Sequence, residues 1–393
     1  MLTHSYYEED PRVRREAESL VGAGRAVHVY GLRRPGDAPA DVIDGVDLHR
    51  IDVQRHQGAG LGTYLREYLS FFLRAGWAAT SEHRRRRYAL LQVHTLPDFL
   101  VFAGVPLRLA GVPLLLDLHE AMPEFFRIRF PRASGRLAHA SLLAQERASI
   151  AVADAALTVN DALKERLVRL GVPARKVTVI RNTPSLARFD PARQPVRAFA
   201  EDGCLRLVYA GALSPVYELD VVLDALRRLR AERPALDAHL DLYGRDFAEV
   251  PLADRAAALG VGEAVTLHGR IPIEAVPAAL AAADIGLAPT RRSEMTDFSL
   301  STKVFEYAAM GKPVVASRLP MVERTFPPGT VATYEPGDAE SLATAVLALV
   351  DRPEERAARV ARTLELVRDL SWEREAERYH AVVEALIASR RPS

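Results

Sequence analysis

The sequence is poor in residues that form disulfides or membrane spans. Its 393 residues include one cysteine, Cys204, so no intramolecular disulfide can form and a reducing compartment is expected. We interpret Cys204 as a small buried hydrophobe. The longest apolar stretch, residues 99–116, contains Pro106, Arg108 and Pro113, which makes a bilayer span unfavourable. The first residues are polar and charged rather than signal-like, so we predict a cytoplasmic protein.

Motifs typical of several enzyme and binding classes are also missing. The sequence has no Walker loop, no HExxH helix and no paired CxxC. The turn after the first strand lacks GxGxxG, which argues against a Rossmann dehydrogenase. We find no basic and aromatic module of the kind that binds nucleic acid, so no nucleic-acid partner is expected.

Lysine is scarce, since only four of the 52 basic residues are lysine, and the net charge is +1. The charge is uneven, because residues 1–190 carry a net +6 and the remainder −5. A basic half beside an acidic half indicates an anionic partner for the first half. Drift in an arginine-rich proteome would produce the same asymmetry, and the sequence does not choose between the two explanations.

What the sequence does contain is a regular alternation of short apolar runs and helical patterns. The runs are 25–32, 46–53, 88–94, 112–119, 155–160, 177–182, 205–211, 238–244, 264–269, 285–290, 312–317 and 331–336. This alternation predicts βαβ units with parallel sheets, and the chain length favours two doubly wound α/β domains. The predicted boundary lies in residues 188–203, and residues 372 to about 389 read as one amphipathic helix. The strand before the first helix is only about residues 1–5, so we expect the natural start to lie upstream.

The segment 299–317, SLSTKVFEYAAMGKPVVAS, carries the clearest sign of a ligand site. Ligands of open α/β sheets bind beyond the carboxyl ends of the strands. Here a helix begins near Ser301 and Thr302, and its free N–H groups and dipole suit a phosphate. Glu306, one turn further on, can accept two hydrogen bonds from a vicinal diol such as a ribose. The alternative is an ordinary capped helix with an exposed glutamate.

This segment resembles the nucleotide-sugar site of retaining glycosyltransferases of family four, which have the GT-B fold. The matching residues are Lys303, Glu306, Tyr307, Ala309, Gly311, Pro313, Val314 and Ala316. Further similar segments follow in the family's order: 10–20, 92–104, 114–126, 177–191, 209–226 and 267–290. The segments 92–104 and 114–126 look like a subgroup from surface-polysaccharide pathways. The resemblance covers nearly the whole chain.

The resemblance implies two Rossmann-like domains, each a doubly wound parallel sheet, facing a deep cleft. Residues 1–190 would form the acceptor-side domain and residues 191–371 the donor domain. Residues 372–393 would form a helix that crosses back to the first domain. The implied activity is transfer of a hexose-type sugar from a nucleotide-sugar to a glycan or lipid-linked acceptor, with retention of configuration. No metal or cofactor is implied beyond the nucleotide-sugar substrate, with UDP favoured over GDP.

The resemblance also implies roles for individual residues. In the donor domain Glu306 would hold the ribose, and the backbone of Leu300, Ser301 and Thr302 would bind the diphosphate. The other implied donor contacts are Lys303, Gly211, Arg270 and Ile271, the last two at the base. In the first domain His119 would reach the transferred sugar, with Glu120 beside it. His94 and Asp98 are interpreted as residues that shape the preceding loop.

The chain departs from the family pattern at two places. Ala212 and Tyr217 stand where many members have the arginine and lysine of the phosphate loop, and Phe298 stands where they have a second glutamate. The candidates for the missing cation are Lys303, Arg245, Arg291 and Arg292, and those for the missing acid are Asp297 and Glu294. These losses keep open a non-catalytic nucleotide-sugar-binding scaffold. A sugar-nucleotide epimerase on the same fold is a second alternative.

Two segments, 65–91 and 125–140, mix aromatic residues with clustered arginines. Such surfaces can bind anionic lipid, and similar enzymes often use lipid-linked acceptors. We therefore predict a peripheral contact with the inner face of the plasma membrane. The alternative is an ordinary solvated helix end.

Overall fold

The computed structural model describes residues 1–56, 60–195, 197–247 and 250–389. The chain separates into two compact units. The first unit comprises Met1–Asn182 and the chain from Glu375 onward, and the second comprises Thr183–Arg374. The sequence places the corresponding boundaries at residues 190 and 371.

The first unit is built on parallel strands with one antiparallel edge. Its strands are β1 His28–Leu32, β2 Ala40–Ile43, β3 Val46–Ile51, β4 Leu91–His94, β5 Leu114–Leu118, β6 Ala155–Thr158 and β7 Val177–Val179. Its helices are α1 Pro11–Gly22, α2 Leu61–Arg86, α3 Val105–Leu109, α4 Met122–Arg129, α5 Arg136–Val152 and α6 Asp161–Arg169. The strand orders are β2-β3-β1 and β4-β5-β6-β7. Leu2 bridges β1 and β4 in parallel, so the N-terminal segment lies between the two groups of strands.

The second unit is a single parallel sheet of six strands. They are β8 Cys204–Ala210, β9 Asp237–Tyr243, β10 Val265–Gly269, β11 Ile285–Ala288, β12 Val314–Ser317 and β13 Ala332–Tyr334. Its helices are α7 Leu219–Glu232, α8 Leu252–Ala258, α9 Val276–Ala281, α10 Thr302–Ala309, α11 Pro320–Thr325, α12 Ala339–Asp351 and α13 Pro353–Asp369, and α14 Trp372–Ala388 follows. The strand order is β10-β9-β8-β11-β12-β13, so the order reverses between β8 and β11. Ligands of doubly wound sheets bind at this reversal, beyond the carboxyl ends of the strands.

Local sequence explains why these elements form. Helix α1 begins at Pro11, and Asp10 caps it by accepting a hydrogen bond from the Val13 amide at 3.2 Å. Strands β1, β4, β5, β11 and β12 are buried along their whole length, as expected for central parallel strands. Within the described residues, no helix is both long enough and apolar enough to cross a bilayer.

Each of the twelve predicted apolar runs overlaps a strand. One strand of the structure lies outside the predicted runs. Strand β2 was not predicted, because its four residues are mostly exposed and pair antiparallel to β3. Residues 98–104 form a 3₁₀ helix that leads into α3.

Candidate functional site

Two glycines shape the loops that follow β8 and β9 in the second unit. Gly211 and Gly244 have φ of 147° and 150°, which L side chains rarely adopt. A Cβ on Gly244 would lie 1.8 Å from the Gly211 carbonyl oxygen, so only glycine allows the loops to approach this closely. The Gly244 amide donates to Gly269 at the end of β10, at 2.7 Å. Arg245 and Arg270, which directly follow two of these glycines, therefore begin at the same edge of the sheet.

Helix α10 of the second unit begins within the segment 299–317 and has no side-chain cap at its N-terminus. Ser301 is its N-cap residue, but its hydroxyl does not bond to the first turn. The Ser301 Oγ is buried and has no hydrogen-bond partner within the described residues. The first-turn N–H groups at Thr302 and Lys303 therefore lack the side-chain acceptor that serine usually supplies. An anion could fill that role.

Lys303, a mostly buried residue, places its ammonium beside Gly211. The residue is 7% exposed, and its Nζ lies 4.0 Å from the ring centroid of Tyr217 and 5.0 Å from that of Tyr209. A Cβ on Gly211 would be 2.7 Å from the lysine Nζ. The ammonium makes no ion pair or hydrogen bond with any described residue. Cation–π contact offsets only part of the cost of burying a charge, so the site favours an anionic ligand.

Two of the other candidate cations, Arg291 and Arg292, lie beside carboxylates. Arg291 contacts Asp220 with Nη2–oxygen distances of 2.8 and 3.1 Å. The Arg292 Nε lies 3.3 Å from Asp297 Oδ1, an ion-pair distance without hydrogen-bond geometry. Arg245 is exposed and lies over the Phe247 ring. The cation and acid predicted at Arg292 and Asp297 thus contact each other.

The remaining donor candidates lie on the same elements. Tyr307 accepts a hydrogen bond from the Ala210 amide at 3.1 Å, which ties α10 to the end of β8. Glu306, the preceding residue, is half-buried. Ile271 is half-buried and Arg270 exposed just after β10. The predicted residues Leu300, Ser301, Thr302, Lys303, Glu306, Gly211, Arg270, Ile271, Arg245 and Asp297 all lie in the second unit.

In the first unit, His119 belongs to a buried hydrogen-bonded cluster at the ends of β4 and β5. Its Nε2 lies 3.0 Å from Asp117 Oδ2 and 3.2 Å from His94 Nδ1. The His94 Nδ1 is also 3.1 Å from Asp117 Oδ2. Burial lowers the pKa of His94. Burial also opposes protonation of His119, but the Asp117 carboxylate outweighs it and raises the pKa of His119.

Arg12 of α1 holds the carboxylate of this cluster. Its Nε and Nη2 donate to the two Asp117 oxygens at 2.8 and 2.7 Å, and its Nη1 donates to the Ile180 carbonyl at 3.0 Å. Burial would raise the pKa of Asp117, but Arg12 and His119 together hold it well below its usual range. This bidentate pair fixes the orientation of the carboxylate.

His94, Asp117 and His119 also supply donor atoms of the types that bind divalent metals, all within 4.8 Å of one another. The Asp117 Oδ2 in that set already accepts from Arg12 Nε. A cation at this position would be repelled by the adjacent guanidinium. The arrangement therefore fits a hydrogen-bonded cluster better than a metal centre.

Glu120 and Asp98, two further residues singled out in the first unit, differ in their exposure to solvent. Glu120 is exposed directly after His119. Asp98 is fully buried, neither of its oxygens has a partner within the described residues, and burial raises its pKa well above the usual value. Sequence reasoning missed Arg12 and Asp117, because one lies within an amphipathic helix and the other within a buried strand.

Replacing Gly211 by alanine should weaken both folding and anion binding. The new Cβ would collide with the Lys303 side chain, 2.4 Å from its Cε, at a φ that alanine tolerates poorly. We expect a loss of about 2–4 kcal/mol in the free energy of unfolding, measured by urea denaturation. Gly260→Ala is the control, since φ there is 72° and no atom lies within 4 Å of the added Cβ. An equal loss in both variants would show that the Lys303 contact has no effect.

Comparisons with known proteins agree with this architecture. Residues 10–183 match the family profile of the glycosyl transferase 4-like domain, and residues 204–352 match that of glycosyl transferases group 1. The chain is 26% identical over 384 residues to a D-inositol 3-phosphate glycosyltransferase of Thermobispora bispora, covering 92% of this chain and 86% of the relative. It is 28% identical to a GDP-mannose-dependent alpha-(1-6)-phosphatidylinositol dimannoside mannosyltransferase of Mycobacterium tuberculosis, covering 72% and 70%.

A solved structure shows the same fold. Anabaena Alr3699/HepE in complex with UDP-glucose superposes with a TM-score of 0.72 at 15% identity, covering 98% of each chain. The two family profiles together span most of the chain, one in each half. The chain belongs to the group 1 glycosyl transferases of the GT-B fold, enzymes that transfer a sugar from a nucleotide-sugar donor.

Proposed function

We propose that this enzyme transfers a hexose-type sugar with retention of configuration from a UDP- or GDP-sugar to a glycan or lipid-linked acceptor. The observation that carries the donor assignment is the ammonium of Lys303, a residue that is 7% exposed and has no anionic partner among the described residues. It lies beside Gly211 on a helix whose first turn has no side-chain cap. A diphosphate would supply the missing negative charge.

The proposed chemistry needs no metal. Cleavage of the sugar–phosphate bond leaves negative charge on the departing diphosphate, and preorganised donors stabilise that charge. The first-turn N–H groups of α10 and the Lys303 ammonium are donors of this kind. Glu306 accepts from the ribose hydroxyls, and Arg270 and Ile271 border the base. In the first unit, His119 hydrogen-bonds the transferred sugar.

The relatives support both nucleotide classes. The Mycobacterium tuberculosis relative is named as GDP-mannose-dependent, and the Anabaena structure holds UDP-glucose. The names of both curated relatives specify inositol-containing acceptors, one of them a phosphatidylinositol glycolipid. We favour UDP over GDP and a role in polysaccharide or glycoconjugate synthesis.

A thermal-shift screen against UDP, GDP, ADP, TDP and their common sugars tests this function. A nucleotide at 100 times its Kd should add about 2.7 kcal/mol of stability to the wild-type protein. Glu306→Ala should abolish the shift, whereas Glu340→Ala, an exposed glutamate on α12, should keep it. The nucleotide-sugar that binds is then offered with candidate acceptors, and the anomeric configuration of the product is read by NMR. Nucleotide binding without sugar transfer to any acceptor would favour a non-catalytic, nucleotide-sugar-binding scaffold. A product of inverted anomeric configuration would contradict transfer with retention.

We further propose that helix α2 contacts an anionic membrane surface. Leu65, Leu69, Leu73 and Trp77 recur every fourth residue and are exposed by 47%, 53%, 66% and 75%. They form an apolar stripe of about 18 Å along one face of the helix. Arg84–Arg87 at the end of the same helix are exposed. An apolar stripe that ends in clustered arginines matches a lipid surface with negative head groups.

Vesicle flotation tests this contact. We expect the protein to float with vesicles that contain anionic lipid and to float less at high salt, because the arginine contribution is screened. Replacing Leu69 and Leu73 together by glutamine should lower the partition about tenfold, since two apolar side chains lose burial. Leu109→Gln, at a leucine that is 85% exposed on α3, is the control. Equal binding to neutral and anionic vesicles would contradict the proposal.

A further inference from the structure

Asp117 is a fully buried carboxylate that engages one nitrogen of His119 and leaves the other unbonded. Its Oδ2 lies 3.0 Å from His119 Nε2. The other imidazole nitrogen, Nδ1, makes no hydrogen bond with any described residue, and 19% of the side chain is exposed. The ring is therefore anchored at its buried edge, and Nδ1 is the nitrogen that a ligand can reach.

The donors around Asp117 fix where the protons lie. An ionised carboxylate only accepts, so the nitrogen facing it must carry hydrogen. His94 approaches the same oxygen through Nδ1 at 3.1 Å, while its Nε2 is buried without a partner. The two nitrogens are 3.2 Å from each other, and each lies closer to Asp117 Oδ2, at 3.1 and 3.0 Å. We therefore assign both imidazoles as donors to Asp117. In its neutral form His119 then has the proton on Nε2 and the lone pair on Nδ1.

We propose that Asp117, held by Arg12, is a positioning residue that keeps the His119 imidazole in this orientation and so presents Nδ1 to the transferred sugar. The inference rests on the proposed function, in which His119 contacts the sugar. A rotated ring or the other tautomer would offer the sugar the wrong group. The bidentate Arg12 contact, with both distances below 3 Å, stops the carboxylate from rotating away.

The network extends well beyond the imidazole and supports the anchoring. Glu16 lies 3.2 Å from Arg12 and accepts from Gln92 at 2.6 Å. Tyr379 of α14 donates to the same Gln92 side chain at 2.6 Å. Arg12 is thus fixed from a second side, through β4 and the C-terminal helix.

The first test is the Asp117→Asn variant in the transfer assay. The amide keeps the shape but can turn an N–H toward His119. We expect kcat to fall about 100-fold, while KM for the nucleotide-sugar changes less than threefold. Asp98→Asn, at another fully buried aspartate of the first unit, is the control and should keep kcat. Unchanged kcat in Asp117→Asn would overturn the proposal.

The Asp117→Asn substitution leaves the Arg12 charge buried without its anion, so this variant could fail to fold. The Arg12→Gln/Asp117→Asn double variant removes both charges and is the second test. It should fold and show the same loss of kcat, and wild-type kcat in the folded double variant would overturn the proposal.

A spectroscopic measurement on the wild-type protein needs no variant in the network. Nitrogen-15 NMR of the histidines, with the His119 signal identified by its loss in His119→Gln, reports the tautomer. We expect the neutral ring to carry its proton on Nε2, and a proton on Nδ1 would overturn the proposal. If this tautomer is present but wild type transfers no sugar, the proposed function fails while the orientation stands. If wild type is active and Asp117→Asn is equally active, the function stands and the positioning role fails.

Discussion

Lys303→Met should weaken nucleotide-sugar binding strongly and at the same time stabilise the ligand-free protein. A charged hydrogen bond to phosphate that is lost from a buried site costs about 2 kcal/mol or more, which corresponds to at least about a 30-fold rise in Kd. Without ligand, the same residue is only 7% exposed and its ammonium has no anion among the described residues. Methionine fills the same space between Tyr209 and Tyr217 without a charge, so the melting temperature of the ligand-free protein should rise.

Lys312→Met is the matched control for this experiment. Lys312 lies just after α10 and donates to the Ala281 and Ala283 carbonyls, each at 2.7 Å. Its removal leaves two backbone acceptors without that donor and should lower the melting temperature while leaving the Kd unchanged. Calorimetric titration and thermal unfolding of both variants measure the two effects. A wild-type Kd in Lys303→Met would remove the lysine from the donor site.

Arg12→Met should strongly destabilise the first unit. Removing one partner of a buried ion pair leaves the other charge uncompensated and typically costs about 3–5 kcal/mol. Asp117 and Arg12 are both almost completely inaccessible, with side-chain exposures of 0% and 3%. Arg25→Met is the control, because Arg25 and Glu384 are 44% and 52% exposed and such pairs contribute less than about 1 kcal/mol.

The loss in Arg12→Met should depend on pH in a defined direction. The pKa of Asp117 is held well below its usual range in the folded protein. Its contribution to stability is therefore fully present above the unfolded pKa of about 3.9 and is lost as pH falls through the lower folded value. The difference in unfolding free energy between wild type and Arg12→Met should be largest near pH 6–7 and shrink toward pH 3. A difference that is constant with pH would contradict the assignment of the charge to Asp117.

The sequence predicts the sheets of this protein well because central parallel strands are continuous apolar runs. It does not predict β2, whose residues are mostly exposed and which pairs antiparallel to β3. For the donor site, the sequence predicts which segments take part but not which side chains contact one another. The start of α10 was identified from its residue types and the glycine after β8 from the family resemblance. The structure brings Lys303 against Gly211.

The partners of those residues could not be predicted, because they come from distant parts of the chain. Arg12 and Asp117 are 105 residues apart, and no local pattern pairs them. Among four candidate cations, the sequence alone could not show that Arg291 and Arg292 contact carboxylates while Lys303 does not. Which charged side chains form pairs depends on how the chain packs. Sequence spacing predicts such pairs only when both residues lie on one helix.

The most direct test of the donor site is a crystal structure with the nucleoside diphosphate that gives the largest thermal shift. We predict phosphate oxygens within about 3 Å of Lys303 Nζ and of the first-turn amides of α10. The ribose hydroxyls should bond to Glu306. A diphosphate bound elsewhere, with the Lys303 ammonium still packed on Tyr217 and without an anion, would contradict the account.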